Sequence, residues 1–186
     1  MGDVIWPREF GPSFTPIQML RKGVFEGKYI NIIRGVPGDW KKLPKVVGRT
    51  DPPDVSLNYY GIKSRQSLQE WQEKGWIMTD TGGWFHWYVK FYLGRRLGDE
   101  DEKQIGRWRS FCARHMGQLK SNCTLGDQKC SVKQRQGLLQ WAWDSTEAWD
   151  DDQVLNNAKS MARSSGVKLE AISQEAYSIL PPYSNW

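Results

Sequence analysis

The chain has 186 residues, enough for one domain or for one domain with an appendage. An apolar share of 39% with 25% charged residues fits a folded globule, and no stretch approaches the roughly 20 consecutive apolar residues of a membrane span. The start, "MGDVIWPREFG", lacks the basic, apolar run of a signal peptide and carries Trp6 where a myristoylation signal needs Ser or Thr. No membrane partner is expected. The expected location is intracellular.

Rings carry an unusual part of the apolar content, with 11 Trp, 7 Tyr and 6 Phe. Each buried ring removes roughly 150–250 Å² from water, so a modest chain can still build a large core. Residues 1–62 read as irregular and proline-punctuated. One short helix is signalled there: Thr15 caps, Pro16 suits the first helical position, and Gly23 ends it. "FEGKYINIIRG" predicts a second, with Tyr29, Ile30 and Ile33 on one side. "GVPGDWKKLPKVVGRTDPPD" follows as an extended loop, since four prolines and three glycines deny it regular structure.

From Ser64 the chain turns helical. "SRQSLQEWQEKGW" predicts a helix ending at Gly75 with Leu68 and Trp71 inward, followed by a turn at "IMTDTGG". "GGWFHWYVKFYLGRR" predicts a helix over 83–93, stopped by Gly94 or Gly98. The clearest helix covers 99–122, where Ile105, Trp108, Cys112, Met116 and Leu119 recur at steps of three and four. Its first turn holds four acids, which suit the positive helix end. After "CTLGDQKC", Ser131 and Gln134 predict a capping box ahead of Leu138, Leu139, Ala142 and Trp143. A further helix is expected to about Arg163, and a docking helix in the tail ending at Pro181. Trp71, Trp76, Trp84, Phe85, Trp108, Leu119, Leu138 and Trp143 are the expected buried set. The fold class is mainly α: a compact helical Trp-rich basic domain over 10–146, with an irregular N-terminal segment, and a C-terminal helical tail over 147–186.

Charge is uneven. Residues 103–135 carry eight cations against Asp127 alone, although the whole chain is only +5. Such a cluster favours a polyanionic partner, DNA or RNA, over generic solubility. The expected contacts are Arg95, Arg96, Arg107, Arg109, Arg114, Lys120, Lys133 and Arg135, with Lys103, Arg107 and Arg114 on one outward stripe. Trp84, Trp87 and Tyr88 are candidate base stackers, for which packing in the core is the competing reading. A structural or interaction role with a protein partner uses the same charges.

Chemistry has thin support. Cys112, His115, Cys123 and Cys130 form a set that zinc accepts, yet Cys112 lies on the apolar stripe, where a buried thiol is common. Reduced thiols and no metal are the expectation, with a Cys123–Cys130 disulfide as the alternative. Two histidines, no glycine-rich phosphate loop and no nucleophile elbow give no catalytic set and no cofactor. An enzyme acting on DNA bases is a weaker alternative, and Glu70, Asp80 and His86 around the aromatic helix are where its site is expected.

The words Gly83–Tyr88 (Gly-Trp-Phe-x-Trp-Tyr), Gly94–Arg96 (Gly-Arg-Arg), Gln104–Trp108 (Gln-Ile-x-Arg-Trp) and Arg135–Trp141 (Arg-Gln-x-Leu-Leu-x-Trp) together resemble a family of uncharacterised Trp-rich proteins. Its members occur in large DNA viruses of eukaryotes, fungi, algae and some bacteria. The resemblance covers roughly residues 10–145. It implies one compact unit and a viral source, hence a place in the cytoplasm or nucleus of a host or in a virion, with viral structural proteins as alternative partners, and it implies no activity.

Overall fold

The computed structural model describes residues 5–7, 9–63, 80, 82–124 and 127–146, with 156, 159, 160, 163, 168 and 169 beyond them. The chain divides into two compact units, Pro12–Trp149, and Met1–Gly11 with Asp150–Trp186. The fold is mainly helical. In the smaller unit, β1 (Ile5–Trp6) pairs in parallel with β2 (Lys168–Leu169), Ile5 opposite Lys168 and Trp6 opposite Leu169. A docking helix was the expectation here, and at Lys168–Leu169 it gives way to strand. The alternation Val-Lys-Leu after Gly166 suits a strand as well as a helix, and pairing with β1 decides between them. Residues 156, 159, 160 and 163 are helical as expected, and the tail from 170 lies outside the described residues.

The larger unit begins with α1 (Pro16–Lys22). Thr15 accepts from the Gln18 amide at 3.2 Å while the Gln18 side chain accepts from the Thr15 amide at 2.7 Å, which closes a capping box. Pro16 holds the first helical position, and Gly23 closes the helix at φ 107°. An added Cβ at Gly23 would stand 2.0 Å from the Leu57 carbonyl oxygen, so close approach as well as φ requires glycine.

The expected second helix is instead two 3-10 segments, Phe25–Gly27 and Tyr29–Ile32. Phe25 and Glu26 both lie in the left-handed region, at φ 53° and 54°, which breaks the helix. Distant side-chain amides hold them there. The Phe25 amide donates to Gln140 Oε1 (3.3 Å) and the Glu26 amide to Asn58 Oδ1 (2.9 Å). Tyr29, Ile30 and Ile33 are buried as their spacing predicts. The expected extended loop is irregular except at Gly38–Lys42, where a 3-10 turn buries Trp40. Another turn, Val55–Leu57, is capped by Asp54. The helix and turn expected over 64–79, with Leu68, Glu70, Trp71 and Trp76, lie outside the described residues.

The core belongs to three helices. α2 (Gly83–Tyr92) buries Trp84, Phe85, Trp87, Tyr88, Val89 and Phe91, so it is apolar nearly all round. Each polar ring atom has a partner: Trp84 Nε1 donates to the Gln104 carbonyl, Trp87 Nε1 to Asp101 Oδ1, and the Tyr88 hydroxyl to the Phe14 carbonyl. α3 (Asp99–Asn122) turns Ile105, Trp108, Cys112, Met116 and Leu119 inward, as its periodicity predicts. α4 (Val132–Gln140) adds Leu138 and Leu139, followed by Ala142 and Trp143.

The predicted capping box at Ser131 does not form. Ser131 is left-handed (φ 52°) and its side chain caps nothing. Its hydroxyl lies 3.4 Å from the Cys123 sulfur instead, because Cys123 and Cys130 are joined in a disulfide that pulls the corner between α3 and α4 tight. The expectation of reduced thiols is therefore corrected at these two positions.

Candidate nucleic-acid interface

α3 presents two opposite faces. The core residues lie along one side, and at 100° per residue Lys103, Arg107, Ser110, Arg114, Gly117 and Ser121 fall along the other. Lys103, Ser110, Arg114, Gly117, Lys120 and Ser121 are exposed, and Arg107 is half-buried. The Arg107 guanidinium donates to Gln104 Oε1 (3.2 Å), and the Gln104 amide donates in turn to Glu100 Oε1 (2.6 Å). No carboxylate occurs between Lys103 and Asp127. Asp127 itself accepts the Lys129 and Cys130 amides and shapes the disulfide corner, where Lys129 and Lys133 stand exposed.

The expected cations part into two groups. Arg114, Lys120 and Lys133 stand at the surface, and Arg107 is half available. The other four are turned to structural work. Arg95 grips Asp80 with both terminal nitrogens, at 2.9 and 2.5 Å. Arg96 donates to the Phe91 and Arg95 carbonyls and lies 3.8 Å over the Phe91 ring, closing the end of α2. Arg109 is buried. Arg135 is 3% exposed and donates to the carbonyls of Cys130, Asp127 and Ser145 and to the Ser145 hydroxyl. A guanidinium filled in this way by carbonyls cannot reach a phosphate. Trp84, Trp87 and Tyr88 are 2%, 1% and 0% exposed, so they pack the core and offer no face to a base.

A ladder of rings runs outward from that core. Tyr88 stacks on Trp84 (5.0 Å), Trp84 on Trp141 (4.9 Å), Trp141 on Phe111 (4.5 Å) and Phe111 on His115 (3.9 Å). Burial pushes the His115 pKa down, partly opposed by its bond to the Phe111 carbonyl. The zinc set does not assemble. Two of its cysteines are spent in the disulfide, and Cys112 is fully buried with its thiol pKa pushed well up by burial. Among the described residues no group of three or more Cys, His, Asp or Glu side chains converges on a metal position.

Two residues named around the aromatic helix do meet. His86 Nε2 lies 3.5 Å from Asp80 Oδ1, and His86 Nδ1 accepts from the Gly82 amide at 3.4 Å. Burial lowers the His86 pKa, opposed by Asp80 and reinforced by Arg95 and Lys90. Asp80, already holding the two-pronged Arg95, ties the entry of α2 to its exit. Glu70 lies outside the described residues. Sequence reading missed the cleft beside Tyr59 and Lys22, because its walls come from segments far apart in the chain. No described helix is long and apolar enough to cross a membrane. Comparison with family models, with curated proteins and with solved structures finds no match. Function therefore rests on these side chains.

Proposed function

We propose that this chain binds DNA or RNA through the outer stripe of α3 and the disulfide corner beyond it, by phosphate contacts with little sequence preference. The observation that carries the reading is an acid-free run from Lys103 to Asp127 along a helix whose core lies on the opposite face. The line from Lys103 to Lys120 is about 26 Å long at ~1.5 Å per residue. Gly106, Ser110, Gly117 and Gln118 are the exposed positions between its cations, and an added Cβ at Gly106 or Gly117 would meet nothing within 4 Å. A phosphate row can thus approach the helix closely. Each cation that neutralises a phosphate releases a condensed counterion, and that release supplies the affinity. The contact set is Lys103, Arg107, Arg114, Lys120, Lys129 and Lys133. The likeness to Trp-rich proteins of large DNA viruses is compatible with such a role.

The test is a salt titration with a labelled duplex. Log affinity should fall with log salt by roughly 0.9 per phosphate neutralised, and Arg114→Ala with Lys120→Ala should reduce that slope by about 1.8. Salt-insensitive binding, no binding, or an unchanged slope in the double variant refutes the reading. Equal affinity for polyglutamate would point instead to an acidic protein surface, such as a viral structural partner.

A further inference from the structure

An open cleft of about 220 Å³ lies in the larger unit, with Phe14, Lys22, Tyr59, Tyr60, Arg135 and Asp144 among its walls. It is cationic. The Lys22 ammonium sits 4.8 Å over the Phe14 ring and 5.2 Å over Tyr59, with no carboxylate in ion-pair range among the described residues. Arg135 is nine-tenths buried, and its described partners are all neutral oxygens. Asp144 is the one acid in the lining, and its Oδ1 is occupied by the Thr146 amide and hydroxyl. A buried cation balanced only by carbonyls and a hydroxyl leaves a positive field that favours an anion.

The cleft also offers a ring. Tyr59 is 48% exposed, the most open of the large apolar side chains described. Its position is fixed in advance. The Tyr59 amide donates to the Gly23 carbonyl (3.0 Å), and the Tyr60 amide to Gln136 Oε1 (3.0 Å). Tyr60 meets Tyr59 edge-on at 4.9 Å, and its hydroxyl lies 3.4 Å from Ser145 Oγ. A cavity below the roughly 300–1,000 Å³ of small-molecule sites takes one flat ring and leaves the rest of its ligand outside. Gln128, also in the lining, is the neighbour of Lys129 in the proposed phosphate-binding corner.

We infer that this cleft receives one unpaired nucleotide of the bound nucleic acid, its base against Tyr59 and its phosphate beside Lys22. The inference rests on the nucleic-acid reading and deepens it, since it makes single strands the preferred ligand. Duplex bases, stacked on both faces, cannot enter.

The experiment uses the full chain and a single strand carrying 2-aminopurine, whose fluorescence reports stacking, beside the matching duplex. Binding should change the fluorescence of the single strand only. Tyr59→Ala should weaken single-strand binding roughly 5- to 100-fold, and Tyr59→Phe should keep it, since stacking needs the ring and not the hydroxyl. Lys22→Met should lower the salt slope by about 0.7, one phosphate on a single strand. Unchanged melting temperatures would show that the variants fold. A strand bound with a salt slope but without fluorescence change, and equally well by Tyr59→Ala, overturns the cleft and leaves the phosphate reading standing. If no strand binds, adenosine monophosphate decides. A shift of the Tyr59 ring signals keeps the cleft as a nucleotide site and sinks only the broader reading, whereas no shift sinks both.

Discussion

In residues 83–143 the buried ring donors of Trp84, Trp87 and Trp108 find partners inside the same region: the carbonyls of Gln104 and Trp141 and the Asp101 carboxylate. In residues 12–62 the buried polar atoms belong largely to a backbone without regular structure, and side-chain amides bond them. Gln136 shows the difference best. It projects from a helix of the first region, is fully buried, and serves the second: its amide donates to the Gly23 carbonyl (3.1 Å), and its oxygen accepts from the Tyr60 amide. Gln140, one turn on, accepts from the Phe25 amide. The indole donors of the helical region are met mainly within it, while the Tyr88 hydroxyl reaches the Phe14 carbonyl, so stability there comes chiefly from burying rings. The irregular region depends on particular polar partners, because every unpaired buried amide or carbonyl costs about 1–3 kcal/mol.

The largest expected effect comes from the ring core. Trp108 is fully buried, packs edge-on against Trp143 at 5.8 Å, and donates to the Trp141 carbonyl at 2.8 Å. Trp108→Ala should cost about 3–5 kcal/mol and lower the denaturant midpoint of the whole unit. A loss under 1 kcal/mol would mean that the rings do not carry the core. Next comes Gln136→Leu, which keeps the volume and removes both bonds. It should cost about 2 kcal/mol. Amide exchange should quicken around Tyr60 far more than within α3, and uniform quickening would erase the distinction between the regions. Thr15→Ala removes half of a capping box and should cost about 1 kcal/mol, read as a small shift in thermal midpoint.

The same contrast explains what was legible. The steps of three and four in 99–122 give the helix and its buried stripe, because a regular backbone maps sequence spacing onto one face. Thr15, Pro16 and Gly23 mark α1 because caps are local. Gln136, Gln140 and Asn58 were not legible, since each serves a backbone group 32 or more positions away. Local spacing carries no record of such partners. The site divides in the same way. Helical phase placed Lys103, Arg107 and Arg114 on one outward stripe, where Lys103 and Arg114 are exposed and Arg107 is half-buried. Arg95, Arg96, Arg109 and Arg135 were credited with an outward role, because a charge usually marks an exposed position. Arg135 escapes that rule through the disulfide corner, which brings the carbonyls of Asp127 and Cys130 to its guanidinium.

The smallest expected effect is on pH dependence, and it too should divide the regions. The only two histidines are His86, on α2, and His115, on α3. Burial lowers both pKa values from 6.5, and nearby cations reinforce it: Arg95 and Lys90 at His86, Arg114 at His115. The fold therefore favours the neutral rings. In the unfolded chain they take up protons near 6.5, while in the folded chain they do so only at lower pH. Between those values the unfolded state binds more protons, so stability falls as pH drops below 6.5 and the loss levels off beneath the folded pKa. Asp80 and the Phe111 carbonyl oppose the shift, which keeps the effect modest. Replacing both histidines with asparagine should flatten the stability profile between about pH 7 and pH 5.5, above the ordinary carboxylate range. Local exchange in that window should quicken around α2 and α3 and hold steady at the capping box of α1. A slope that survives the double replacement would assign the pH dependence to other groups and remove this last difference between the two regions.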